Sequence, residues 1–160
     1  MKFLTLIRHA KSNRDDSQVS DHDRGLADRG VHDCPVMAFH IAQVLPVPER
    51  ILVSSARRAV ETIDRLHEEL SRFGTFPEKE IEQDQYLADA VDIRRIAEEL
   101  LSGHDDVWIC AHNPGITEAV EYCTRSRIDN VPTLGIVRIA FDGNLSEGTL
   151  VFLDMPKNHR

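Results

Sequence analysis

Three short apolar runs, each ending on a cluster of polar and cationic residues, constrain this chain more than any other feature. Lys2 to Ile7 runs into Arg8-His9-Ala10-Lys11-Ser12, and Ile51 to Ser54 runs into Ser55-Ala56-Arg57-Arg58. Val107 to Ala111 runs into His112-Asn113-Pro114-Gly115. Their length and β-branched content predict buried strands. Helical patterns alternate with them. Val60, Ile63, Leu66, Leu70 and Phe73 recur three or four apart, as do Ile93, Ile96, Ala97, Leu100 and Leu101, and Ile116, Ala119, Val120 and Cys123. Each set makes one apolar stripe on a helix. A further helix is expected from Arg29 to Val44, with a late start or a kink imposed by Pro35. Leu134 to Phe141 and Gly148 to Met155 read as two more strands joined around Asp142-Gly143-Asn144. Loops are expected at 13–26, 74–79 and 124–132. This alternation predicts an α/β fold with a largely parallel sheet.

In such sheets ligands bind beyond the carboxyl ends of the strands. Parallel pairing would therefore bring two histidines, two or three arginines and several hydroxyls to one edge. Arginine presents a planar fork of donors that matches phosphate oxygens. Asn113 is placed to cap a helix beginning at Pro114, and Ser55 to cap the helix that holds Arg58. Two helix N-termini would then face the same anion. A neutral imidazole can attack a phosphoryl group and form a covalent intermediate. Neighbouring guanidiniums would hold it neutral, since like charges disfavour its protonation. They would also stabilise charge on the transferring oxygens. His112 could donate hydrogen bonds to those oxygens.

Bulk properties narrow the setting. A length of 160 residues suits one domain spanning 1–160. A formal charge of −8 disfavours a broad grip on nucleic acid. No run is long enough to span a bilayer. The apolar start, Met1 to Ile7, is too short for a signal peptide and lacks a small-residue cleavage site. Cys34, Cys110 and Cys123 are odd in number and form no C-x-x-C, which fits a reduced cytoplasm. Each is expected to be a small buried hydrophobe.

The ordered clusters resemble the histidine phosphatase superfamily (phosphoglycerate mutase-like). Arg8-His9-Ala10 is similar to its Arg-His-Gly signature, and Leu26 with Gly30 to the Leu-x-x-x-Gly that opens its first helix. Ser54, Arg58, Ala59, Glu61 and Thr62 match its Ser-x-x-x-Arg-Ala-x-Gln/Glu-Thr pattern. His112-Asn113-Pro114-Gly115 resembles its Gly-His-Asn-Pro-Gly block. Ala10-Lys11-Ser12, Asp23-Arg24 and Leu26 point to the small SixA-type phosphohistidine phosphatases within it. The resemblance spans nearly the whole chain. It implies a three-layer α/β/α fold with a mostly parallel central sheet. It also implies His9 as nucleophile, Arg8, Arg58 and His112 completing the phosphate pocket, and no metal or other cofactor. Ser12 and Asn113 are further candidate phosphate ligands, and Ser12 reads equally as a loop hydrogen-bonder. Arg57 is expected at the surface. Ala10 and Ala111 stand where the family carries glycine, so a required positive φ at either would change the loop geometry.

Larger relatives use a carboxylic acid to protonate the leaving oxygen. Asp84 and Asp89 are the candidates here, and neither aligns as a single clear acid. An alkoxide leaving group needs strong acid help, whereas a protonated imidazole leaves readily. The expectation is therefore a phosphohistidine phosphatase acting on a phosphorylated protein. The alternatives are a phosphomonoesterase for a small phosphorylated metabolite and a non-catalytic phosphate-binding module. Other phosphate chemistries fit badly. No cysteine is followed by arginine at the sixth position, no G-x-x-x-x-G-K-[ST] loop is present, and Asp21-His22-Asp23 follows no apolar strand. His22, His32 and His104 each precede an Asp, but the metal-binding His-Asp phosphohydrolases are all-helical and need that pair on a helix, whereas His22 and His104 are expected in loops. His40 and His67 read as structural, Trp108 as strand core, and 157–160 as a frayed tail.

Overall fold

The computed structural model describes residues 1–15 and 17–160. Its strands are β1 (Lys2–Arg8), β2 (Arg50–Ser54), β3 (Lys79–Glu82), β4 (Asp106–Ala111), β5 (Ile136–Phe141) and β6 (Thr149–Asp154). Its helices are α1 (Asp28–Ala42), α2 (Arg57–Leu70), α3 (Ala90–Leu101) and α4 (Gly115–Thr124). The strands form one sheet in the order β3-β2-β4-β1-β5-β6. The first four in that order are mutually parallel, and β5 and β6 run antiparallel to their neighbours.

Alternation along the strands builds the three layers. Leu6, Val107, Ile109 and Ala111 pack with Ile93, Ile96, Ile116 and Ala119 of α3 and α4. Ile7, Val53, Trp108 and Cys110 pack on the opposite face with Met37, Ile41, Ile63 and Leu66 of α1 and α2. The central strands β1 and β4 are covered on both sides, which is why they read as continuous apolar runs. The three cysteines lie in these layers as buried free thiols. Burial pushes Cys34 up to about 12 and Cys123 to about 11, and raises Cys110 further. No helix among the described residues is long and apolar enough to cross a membrane.

Several expectations need correction. β3 was not foreseen: the sequence reading put a loop at 74–79 and no strand beyond it. β3 is a four-residue edge strand whose one aliphatic residue, Ile81, is exposed, so it carries no apolar signal. α1 starts at Asp28, well before Pro35, so the late start is not seen, and the exposed Pro35 lies inside the helix. Phe73 lies past the end of α2 and is exposed. β5 begins at Ile136 because Leu134 takes a positive φ of 55°. The C-terminal segment is not frayed. Pro156–His159 form a 3-10 turn, His159 donates to Asp154 at 2.7 Å and stacks on His40, and Arg160 pairs with Asp33. Of the 13–26 segment, Asp16 lies outside the described residues.

Candidate active site

The ends of β1, β2 and β4 come together as their parallel pairing requires. Ile7 and Arg8 lie opposite Cys110 and Ala111, and Val53 lies opposite Cys110. The His9 and His112 ring centroids are 5.2 Å apart. His9 is held on both sides: its N–H donates to the Ala111 carbonyl, and its carbonyl accepts from Leu134 N–H. Neither Ala10 nor Ala111 has a positive φ, so alanine fits where the family carries glycine. The Ala10 N–H instead donates to Thr62 Oγ1 at 2.9 Å, and that hydroxyl donates to the Arg58 carbonyl. Thr62 thus ties the end of β1 to the first turn of α2.

A hydrogen bond fixes the His9 tautomer. His9 Nδ1 lies 2.8 Å from the Ala10 carbonyl, which can only accept, so Nδ1 carries the proton. The lone pair is left on Nε2, which has no partner among the described residues. Ser54 Oγ accepts from Ala56 N–H and lies 2.7 Å from His112 Nε2. A hydroxyl can donate to that nitrogen or accept from it; where it donates, the His112 proton sits on Nδ1. Both rings are buried, at 6% and 3% exposure. Burial is the main reason that His9 is lowered to about 3 and His112 to about 4. The guanidiniums of Arg8 and Arg58 act in the same direction but more weakly, so desolvation rather than arginine repulsion keeps His9 neutral.

Both arginines are anchored through one end. Arg8 donates from Nη1 to the Val131 carbonyl. Arg58 donates from Nη1 to the Asp21 carbonyl at 2.7 Å and from Nη2 to the Asp21 carboxylate at 3.2 Å. Arg8 Nε, Arg58 Nε and His112 Nδ1 are buried and have no hydrogen-bond partner among the described residues. A buried donor without an acceptor is costly and native proteins leave few of them. Of the seven buried side-chain nitrogen and oxygen atoms without a partner among the described residues, three belong to the expected site residues Arg8, Arg58 and His112.

The remaining expected residues fall elsewhere or serve the frame. Ser12 Oγ is buried and accepts from Arg24 Nε at 3.2 Å. Asn113 caps α4 with its side chain, from the residue before Pro114. Its Oδ1 accepts from Thr117 N–H and its amide donates to the Val131 carbonyl, so its polar atoms pin α4 to the 130–131 loop. Ser55 does not cap α2; its hydroxyl bonds His22 Nε2, and Ala56 occupies the cap position. Asp89 caps α3 by accepting from Asp92 N–H. Asp84 is exposed beside a depression it shares with Arg50, Glu80 and Arg95. Arg57 is exposed and pairs with Glu61, as expected. Among the described residues no group of three or more His, Cys, Asp or Glu side chains is arranged to hold a metal.

No protein-family model matches the chain. Curated relatives match in part. An uncharacterised chloroplastic protein of Arabidopsis thaliana is 36% identical over 70 residues, 44% of this chain and 32% of that protein. An uncharacterised protein of Mycobacterium leprae is 38% identical over 60 residues, 36% of this chain and 37% of its own length. The match thus spans about a third of these relatives. Solved structures match throughout. A protein histidine phosphatase SixA complexed with tungstate superposes with a TM-score of 0.85 at 22% identity, covering 99% of both chains. A SixA protein from Agrobacterium tumefaciens gives 0.84 at 20% identity over 97% of this chain and 98% of that one. The chain has the SixA fold. A mycobacterial glucosyl-3-phosphoglycerate phosphatase is more distant, with a TM-score of 0.71 at 13% identity over 97% of this chain and 98% of that one.

On this SixA fold the sequence reading missed one group of residues at the site. The Asp21 carboxylate accepts from Tyr86 Oη at 2.5 Å, from Arg24 Nη1 at 2.7 Å and from Arg58. These bonds, with that of Tyr86 the largest, hold it well below the usual carboxylate range. Nothing local in sequence could have shown the Tyr86 contact, which joins residues 65 apart. The proximity of Asp21 to the quoted Arg24 was the only available hint.

Proposed function

We propose that this protein is a phosphatase whose nucleophile is His9 Nε2 and whose substrate is phosphohistidine in a protein. The observation that carries this reading is the cradle: three buried donors without partners, on Arg8, Arg58 and His112, around a neutral imidazole with an available lone pair. A phosphoryl group supplies three oxygens to such donors. In the first step the Nε2 lone pair forms a bond to phosphorus while the substrate P–N bond breaks. The electron pair leaves with the substrate imidazole, whose other nitrogen takes a proton from solvent before the bond breaks, so that the ring departs neutral. In the second step water attacks phosphorus, the bond to Nε2 breaks and His9 is regenerated. The water protons pass to phosphate and solvent. Arg8, Arg58 and the His112 Nδ1–H stabilise the charge on the equatorial oxygens in both steps.

The likeness to SixA supports the substrate class, and so does the state of the carboxylates. The acid bonded into this cluster, Asp21, is held ionised by Tyr86, Arg24 and Arg58, so it has no proton for an alkoxide. Asp89 is committed to its helix cap. An imidazole leaving group takes its proton from solvent on the far nitrogen and needs no carboxylic acid beside the scissile bond. The test is incubation with a phosphohistidine peptide and with simple phosphate esters in EDTA, followed by trapping of an acid-labile phosphoenzyme. The peptide is expected to turn over and to label His9, esters to react much more slowly, and His9→Ala to lose about 10⁴-fold or more. Wild-type rates in His9→Ala, or turnover of esters alone, would overturn the reading.

A further inference from the structure

Four aromatic rings form a row from the buried centre of the site to solvent. His9 and His112 are buried, with centroids 5.2 Å apart. Tyr86 stands edge-on to His112 at 5.9 Å and 77°. His22 stands edge-on to Tyr86 at 4.7 Å and 87°, and its side chain is 43% exposed. The first two rings belong to the phosphoryl cradle. Neither outer ring is used by the proposed chemistry.

Both outer rings are held in place by bonds from other segments. Tyr86 is fixed through its hydroxyl to Asp21, which Arg24 and Arg58 hold in turn. His22 is fixed through Nε2 to Ser55 Oγ at 2.9 Å. The segment after Tyr86 is also locked. Leu87 takes a positive φ of 55°, a conformation that a branched side chain disfavours. Next to it the Ala88 carbonyl packs so closely on Gly115 that an added Cβ there would lie 2.2 Å away. A strained residue held by a backbone contact is a feature of built sites rather than of idle loops.

We propose that Tyr86 and His22 form a subsite for an aromatic heterocycle, which receives the imidazole ring of the phosphohistidine substrate. This rests on the phosphatase reading above and adds to it where the leaving group sits. The ring row leads from solvent to the nucleophile, so a substrate side chain whose phosphoryl group occupies the cradle brings its ring beside Tyr86. Aromatic pairs favour edge-to-face and offset geometries, and a ring already held in one orientation offers such a contact with little further ordering.

The experiment compares two phosphoryl donors that label the same histidine. One is a phosphohistidine peptide and the other is phosphoramidate, which has the same P–N bond and no ring. Relative to Tyr86→Phe, which lacks the same bond to Asp21, Tyr86→Ala is expected to raise the KM for the peptide about three- to tenfold and to leave the KM for phosphoramidate the same in the two variants. Tyr86→Phe keeps the ring and removes the bond to Asp21, so it is expected to keep a near wild-type KM for the peptide. His22→Ala, on the exposed end of the row, is expected to show a smaller rise for the peptide alone. Equal effects on both donors, or a Tyr86→Phe variant as impaired as Tyr86→Ala, would overturn the subsite and assign Tyr86 to holding Asp21 and Arg58. If wild-type protein takes phosphate from neither donor, the phosphatase reading itself fails, which is a different result.

Discussion

At the scale of single residues, the site depends on keeping two imidazoles neutral by burial. His9 is lowered to about 3 and His112 to about 4, from an ordinary value of 6.5. Lowered pKa values leave the proposed nucleophile, His9, unprotonated far into acid. The kcat/KM for phosphoramidate, corrected for the donor's own titration, is therefore expected to show no acid limb at pH 6.5 and to fall only toward pH 4. The same shifts make stability depend on pH with a definite sign. Below pH 6.5 the unfolded histidines take up protons that the folded ones refuse until about 4 and 3, so unfolding binds protons. Thermal midpoints are expected to decline as pH is lowered from 6.5 toward 4, less steeply in His9→Gln. Arg58→Ala is expected to lower kcat/KM by about 10²–10³-fold, the usual effect of losing one oxyanion donor. Arg8, His9, Arg58 and His112 were legible in the sequence because each ends or follows a strand or opens a helix that its own neighbours define. Asp21 and Tyr86 were not, because their meeting depends on how two loops from distant parts of the chain pack.

At the scale of elements, the readable pieces were those whose burial is one-sided or complete. β1, β4 and the stripes of α2, α3 and α4 wrote themselves into the pattern because the sheet faces they meet are apolar. β3 did not, since an exposed edge strand needs only backbone pairing with β2. The capping expectation for Asn113 holds, with its Oδ1 on the Thr117 N–H, whereas that for Ser55 fails because its hydroxyl has a competing partner in His22. Glycine placement carries an element-scale prediction. Gly115 begins α4 against the Ala88 carbonyl, so Gly115→Ala must push apart α4 and the segment that carries Tyr86. A loss of about 1–3 kcal/mol is expected in urea unfolding, typical of overpacking.

At the scale of the whole molecule, the mostly parallel sheet follows from the alternation of elements, but its strand order does not. The placement of β4 between β2 and β1 needs the crossover helices to be distributed on two faces, which no local pattern records. The antiparallel side of the sheet is fastened to the parallel side by a buried ion pair. Arg138 of β5, 4% exposed, donates to Asp106 of β4 at 3.1 and 2.7 Å and to Thr5 of β1 at 3.0 Å. Removing one partner strands the other in the interior. Asp106→Ala is expected to destabilise by about 3–5 kcal/mol in denaturant unfolding, with less than additive loss in the double variant with Arg138→Met. The burial of the thiols has a consequence outside stability. All three cysteines are enclosed, their thiolates suppressed, and the proposed nucleophile is nitrogen. Alkylating agents and peroxide act on thiolates, so native protein is expected to resist iodoacetamide labelling and to keep its activity in peroxide. Such a phosphatase would continue to erase phosphoryl signals during oxidative stress, when enzymes that depend on a reactive cysteine fall silent.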